Sequence, residues 1–177
     1  MDEWVGLGAN DKGSCRQVMD DFFYTPAKIP RERIHVFNGL ADPIAECGAM
    51  NKWLIKHGSR LGLALLGVGM NGHVGFNEPN APESYGAVFV PLDYVTKSVS
   101  VKYFGRYRPI THGVTLSLPT LSTARELLVI ASGTKKASVI KDAFSGAKTP
   151  SNPASMLQDH PRLVLMLDGE AAGKTAS

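Results

Sequence analysis

The sequence predicts an α/β fold: a mostly parallel sheet covered by helices on both faces. Three observations carry this expectation. Leu61 to Leu66, Leu127 to Ala131 and Leu163 to Leu167 are apolar runs of strand length, and runs without polar alternation suit strands buried on both sides. Stretches with helical spacing or helix-start signals lie between them. The 177 residues are 44% hydrophobic and 20% charged, which suits one ordinary core and one domain spanning 1–177.

The elements follow in order. Asp2 to Leu7 reads as the end of a strand running into a loop. Ser14 to Phe23 suits a helix with Val18, Phe22 and Phe23 inward, broken by Pro26 and Pro30. Ile34 to Phe37 reads as a short strand ended by Asn38-Gly39. Asp42 before Pro43 is an N-cap followed by proline at the first helical position. That helix runs to about His57, sets Ile44, Cys47, Trp53, Leu54 and Ile55 near one face, and stops at Gly58. Leu61 to Leu66 is the expected central strand. Ala87 to Leu92 is another strand and Thr96 to Phe104 a short helix. Ile110 to Leu118 carries β-branched residues and reads as extended, and Pro119 to Ala124 as a helical turn. Leu127 to Ala131 is a strand, Ser132-Gly133-Thr134 opens a helix to about Phe144, Ala154 to Gln158 is a short helix, and Leu163 to Leu167 is a last buried strand.

Composition excludes several function classes. The formal charge is +3, too small to point to nucleic acid, and no basic cluster exceeds two consecutive residues. Cys15 and Cys47 are widely spaced and fit reduced thiols in a cytoplasmic protein rather than a disulfide. No apolar stretch has the length of a membrane span, and no signal-peptide pattern opens the chain.

The chemistry concentrates in Gly67-Val68-Gly69-Met70-Asn71-Gly72-His73-Val74-Gly75-Phe76-Asn77-Glu78-Pro79. Here the chain leaves a buried strand, turns through glycines, and presents a histidine and a carboxylate five residues apart. Histidine titrates near neutral pH, and a carboxylate nearby sets its tautomer and raises its basicity. Gly67, Gly69 and Gly72 suit positive φ or close approach of a ligand. In an open α/β sheet the carboxyl ends of strands are where ligands bind. A second junction, Ser132-Gly133-Thr134-Lys135-Lys136-Ala137, puts helix-start amides beside lysine, a combination suited to phosphate. A solvated lysine pair is the plainer reading, but lysine in a first turn opposes the helix dipole, which favours a role for Lys136. Composition alone makes Asp2 and Glu3 a frayed, charged terminus. Lys102 is ambiguous, His112 reads as structural, and His35, His57 and His160 read as solvated.

Three of these segments, Asp2-Glu3-Trp4-Val5-Gly6-Leu7, the Gly67 to Pro79 loop and Ser132 to Ala137, occur in the same order in glucosamine-6-phosphate deaminases, whose counterparts read like D-E-Y-V-G-L, G-x-G-x-D-G-H-I-x-F-N-E-P and G-x-x-K-A. Pro153 to Pro161 also resembles that family's closing region. The resemblance covers nearly the whole chain, and Phe76-Asn77-Glu78-Pro79 is its specific part. The related 6-phosphogluconolactonases share the glycine-histidine core but usually continue S-L-F-P. The resemblance implies a Rossmann-like fold and a reaction without metal or cofactor. An amino-sugar 6-phosphate, of glucosamine or galactosamine type, is isomerised at C1–C2 and deaminated to a ketose 6-phosphate and ammonia. By position, Asp2 matches the carboxylate that moves the C2 proton to C1, His73 the ring-opening acid–base, Glu78 its partner and Lys136 the phosphate-binding lysine, with Gly133 and Thr134 beside it. Lys102 falls near a substrate-holding arginine. The implied partner is a small sugar phosphate, and a homo-oligomer is compatible.

Two departures accompany the resemblance. Asn71 stands where the family has aspartate. In serine proteases such an exchange costs about 10⁴ in rate through the wrong histidine tautomer. This asparagine also fits a galactosamine-6-phosphate subgroup. Second, the family carries an upstream strand and a Gly-rich phosphate loop ahead of the D-E motif. The expectation is that residues 1–177 lack that segment, leave Asp2 mobile, catalyse weakly and aggregate. A lactone hydrolase and a non-catalytic sugar-phosphate-binding paralogue are the rival readings.

Overall fold

A computed structural model describes residues 1–174. It is a mixed α/β fold, but not one mostly parallel sheet. The strands form two three-stranded sheets. The first is antiparallel in the order β1 (Asp2–Trp4), β4 (His112–Leu116), β3 (Ala87–Pro91). The second is parallel in the order β2 (Leu63–Gly67), β5 (Glu126–Ala131), β6 (Leu163–Leu167). Among the described residues β2, expected to be central, lies at the edge of this sheet, and β5 takes the centre. Apolar runs mark strands without stating their partners, which is why pairing diverged from expectation.

One core joins the sheets. Leu66, Leu127 and Val129 of the parallel sheet pack in a cluster with Ala87, Val114 and Leu116 of the antiparallel one. The helix α2 (Pro43–Lys56) covers this side with Cys47, Met50 and Leu54. It starts as expected: the Asp42 carboxylate accepts the Ala45 N–H at 2.8 Å and Pro43 occupies the first turn. Ile44 and Ile55, expected inward, are exposed.

Among the described residues, the parallel sheet is covered on one face only. Leu63 (56%), Leu65 (55%), Ile130 (41%), Val164 (55%) and Met166 (55%) face outward. Registry places them on one surface, because Gly67 pairs with Ile130 and Ile130 with Met166. β6, expected to be buried, is mostly exposed. An apolar strand reads the same whether or not anything covers its second face.

Two early elements also differ. The first helix, α1 (Cys15–Met19), passes into a π-helical turn at Asp20–Tyr24. Val18, Phe22 and Phe23 are exposed while Arg16 is buried; the extra residue of the π-turn shifts the helical phase only for Phe22 and Phe23, which lie within it. Among the described residues Ile34 to Phe37 pairs with no strand; a 3-10 turn at Arg31–Arg33 precedes it, and Phe37 alone of the four is buried. The remaining elements are α3 (Tyr94–Val99), α4 (Val101–Phe104), α5 (Leu118–Ser122) and α6 (Ala137–Ser145). α6 follows a 3-10 turn at Thr134–Lys136, and a further 3-10 turn spans Pro153–Leu157.

Candidate active site

The carboxyl ends of β2 and β5 open into a cavity of about 380 Å³ that also receives residues from β1, α3 and α4. Asp2, His73, Lys102 and Lys136 line it together, with Trp4, Cys15 and Thr96. These residues come from distant parts of the chain, so the fold alone assembles them.

Asp2 is not a frayed end. β1 pairs with β4, placing Asp2 opposite Thr115, and the Leu116 N–H bonds the Met1 carbonyl at 2.9 Å. Its neighbour Glu3, which alternation turns the other way, anchors this strand to α1. Buried to 1% exposure, the Glu3 carboxylate accepts from the Ser14 hydroxyl at 2.7 Å and from the N–H groups of Cys15 and Arg16 at 3.0 Å each. A glutamate twelve and thirteen residues away thus satisfies the first amides of α1, a role that local sequence does not reveal. Cys15 is a neutral thiol here. Burial, then the Asp2 and Glu3 charges, push its pKa well above the ordinary value.

The glycine loop fixes His73. The ring packs so close to Gly69 that a Cβ there would overlap it. Gly72 holds φ +81°, a backbone that glycine adopts freely. Gly67, by contrast, has neither positive φ nor a neighbour that a Cβ would meet. Asn77 ties the loop to the first sheet: its Nδ2 donates to the carbonyls of Val74 (2.8 Å) and Leu116 (2.9 Å), and its Oδ1 accepts from the Leu118 N–H at 2.7 Å.

Asn71 and Glu78 lie behind the ring. Asn71 Oδ1 is 2.6 Å from His73 Nδ1. Its Nδ2 donates to Glu78 Oε2 at 3.0 Å and Asp93 Oδ1 at 3.3 Å. Two carboxylates that only accept dictate the amide's orientation, so its oxygen faces the ring and His73 carries its proton on Nδ1. The wrong-tautomer cost of asparagine in serine proteases therefore does not transfer. Thr96 Oγ1 is 3.1 Å from the same nitrogen, and Glu78 Oε2 is 3.6 Å away. Among the described residues Glu78 Oε1 is buried without a hydrogen-bond partner. Burial holds the His73 pKa below the ordinary 6.5; Glu78, Asp2 and Asp93 oppose that shift and Lys136 adds to it. The imidazole is neutral at neutral pH.

Lys136 Nζ donates to the Val68 carbonyl at 2.6 Å. Burial, and then Lys102, lower its pKa from 10.5. Two lysines converging on one cavity is an arrangement that an anion relieves. Gly133 and Thr134 do not join it. The Gly133 N–H donates to Asp168 Oδ2 at 3.0 Å, and the Thr134 N–H and hydroxyl donate to Glu170 at 3.1 and 3.0 Å. Carboxylates from beyond β6 occupy these donors, so the expected backbone phosphate cradle is absent at these two residues. His112 is structural as expected, stacked on Phe89 at 4.7 Å. His35 and His57 are exposed, as expected, and each stacks on Trp53, at 4.3 and 4.4 Å.

Comparison with known proteins matches this architecture. A family profile described as glucosamine-6-phosphate isomerases/6-phosphogluconolactonase covers residues 4–165. The glucosamine-6-phosphate deaminase of Shouchella clausii is 36% identical over 97% of this chain and 70% of its own length. That of Alkaliphilus oremlandii is 33% identical over 97% of this chain and 72% of its own. Among solved structures, a monomeric glucosamine-6-phosphate deaminase superposes with a TM-score of 0.91 at 30% identity, covering 99% of this chain and 73% of that one. A 6-phosphogluconolactonase from Leishmania guyanensis shares the fold, with a TM-score of 0.75 at 19% identity over 99% of this chain and 73% of that one. Sequence, fold and loop geometry together make this chain a member of the glucosamine-6-phosphate isomerase/6-phosphogluconolactonase family.

Proposed function

We propose that the cavity binds an amino-sugar 6-phosphate, isomerises it between C1 and C2, and releases ammonia to leave a ketose 6-phosphate, with one water consumed. The observation that carries this reading is the convergence of a neutral histidine, a strand-held carboxylate and two lysines in one cavity. In this reading His73 works through Nε2. It takes the proton of the anomeric hydroxyl, returns one to the ring oxygen, and so opens the pyranose. Asp2 moves the C2 proton to C1 of the open chain. Lys136 and Lys102 hold the phosphate as point charges. Asn71 and Glu78 orient the histidine and stabilise its transient charge.

The test is ammonia release from glucosamine 6-phosphate and from its C4 epimer. Wild type is expected to release ammonia and ketose 6-phosphate from one of them, and His73→Gln to lose most of that turnover. Acid release from 6-phosphogluconolactone in the absence of ammonia release contradicts the proposal in favour of lactone hydrolysis.

A further inference from the structure

Position 71 raises a question that the neighbouring residues answer. An asparagine beside the histidine accepts the Nδ1 proton but brings no charge to a developing imidazolium. Its Nδ2, however, lies between two carboxylates, Glu78 at 3.0 Å and Asp93 at 3.3 Å. Asp93 belongs to none of the motifs around the glycine loop. It stands at the start of α3, where the same Oδ1 accepts the Val95 N–H at 2.8 Å. α3 then delivers Thr96, whose hydroxyl also meets His73 Nδ1. The next helix, α4, carries Lys102 into the cavity. Asp93 thus joins the histidine's orienting amide to the segment that brings Thr96 and Lys102 to the cavity.

We propose that Asp93 is a positioning residue for His73: its carboxylate fixes the Asn71 amide in the orientation that receives the Nδ1 proton, and its charge, passed through that amide, stabilises the imidazolium. This rests on the reading of His73 as the acid–base group. The hydrogen bonds are chain-like: His73 Nδ1–H to Asn71 Oδ1, then Asn71 Nδ2–H to Asp93 and Glu78. Polarisation along such a chain strengthens each member. The charged groups around the ring are Glu78 from the loop, Asp93 from the start of α3, Asp2 from β1 and Lys136 after β5. Three carboxylates therefore oppose one lysine and the burial of the ring. Removing Asp93 leaves burial and Lys136 less opposed. The arrangement also explains why asparagine suits position 71: aspartate would set its carboxylate against two others at hydrogen-bond distance.

The experiment is an NMR titration of His73 in four forms: wild type, Asp93→Asn, Asn71→Asp, and the exchange Asn71→Asp/Asp93→Asn. Asparagine at 93 still caps α3, so Asp93→Asn removes charge with little loss of structure. It is expected to lower the His73 pKa by about half a unit, the order for a charge in a part-buried site. The acid limb of the kcat profile should move down with it, with kcat reduced several-fold and KM nearly unchanged. The exchange is expected to return the His73 pKa to wild type or above, and to lie below Asn71→Asp alone. If Asp93→Asn is too unstable to study, the difference between Asn71→Asp and the exchange gives the same charge effect. An unshifted His73 pKa in Asp93→Asn, or equal pKa values in Asn71→Asp and the exchange, overturns the proposal. The titration reads His73 without turnover, so its failure is separate from failure of the acid–base reading, which full activity in His73→Gln would overturn.

Discussion

Asn71 is where residue chemistry and fold meet most tightly. Its oxygen sets the tautomer of His73, and its amide hydrogens occupy Glu78 and Asp93. Replacing it with aspartate adds a negative charge beside the ring. Asn71→Asp is predicted to raise the His73 pKa by about one unit and to lower stability through carboxylate repulsion. An unchanged or lowered pKa would show that residue 71 does not govern the ring. His73 also gives a pH dependence of known sign. Its folded pKa lies below the unfolded 6.5 because burial disfavours the imidazolium. The unfolded chain therefore binds the extra proton first. Stability from this group is complete above about pH 6.5 and falls as pH drops toward the folded pKa. Urea unfolding of wild type and His73→Gln from pH 8 to 5 is predicted to show a shallower decline in the variant, with the similarly depressed His35 contributing equally to both. Parallel curves would contradict it. For Lys136, loss of a charge-assisted contact to phosphate is worth roughly 1.5–3 kcal/mol. Lys136→Ala is predicted to raise KM by about 10- to 150-fold, and an unchanged KM would remove Lys136 from the phosphate site. Much of this site was legible because it is local: histidine, asparagine and glutamate lie within eight residues after an apolar strand. Asp93 was not legible, since an aspartate before a helix reads only as a cap.

At the scale of elements, the N-terminal strand and α1 behave as one unit fastened by Glu3. Its carboxylate serves Ser14, Cys15 and Arg16 at once. Glu3→Gln replaces one acceptor oxygen by a donor facing other donors. It is predicted to cost about 2–3 kcal/mol, read as a shift in the urea midpoint at constant slope, and a midpoint within error of wild type would contradict the anchoring role. Because β1 carries Asp2 on its other face, the same variant should lower turnover more than it weakens substrate binding. The pinned strand answers the expectation of a mobile Asp2: β4 supplies the ladder that the sequence could not announce. Element identity was largely readable. Caps marked α2, apolar runs marked β2, β5 and β6, and the left-handed Gly105 closes α4 where a stop was expected. Pairing was not readable, because an apolar run states burial without naming its neighbour. The phase slip at Asp20–Tyr24 was invisible for a related reason: a π-turn has no strong residue signature.

At the scale of the molecule, the cavity at the strand ends accompanies an apolar sheet face that no described residue covers. A parallel sheet is normally covered on both faces, and the outward Leu63, Leu65, Ile130, Val164 and Met166 form a surface prone to association. Leu65→Lys/Val164→Lys is predicted to reduce concentration-dependent association in sedimentation velocity while leaving the cavity intact. Association unchanged in the double variant would place the contact elsewhere. The sequence foretold the α/β class and the cavity's location at strand ends. It did not foretell two sheets or the bare face, since both depend on which strands meet. The amino-sugar reading itself is tested most directly by product analysis in deuterium oxide. Amino-sugar 6-phosphate incubated with this chain is predicted to give ammonia and a ketose 6-phosphate in equal amounts, however slowly, with deuterium at C1 of the product. Asp2→Asn is predicted to abolish that label while sugar-phosphate binding survives. No ammonia from either C4 epimer at saturating substrate, or deuterium at C1 undiminished in Asp2→Asn, would contradict the account.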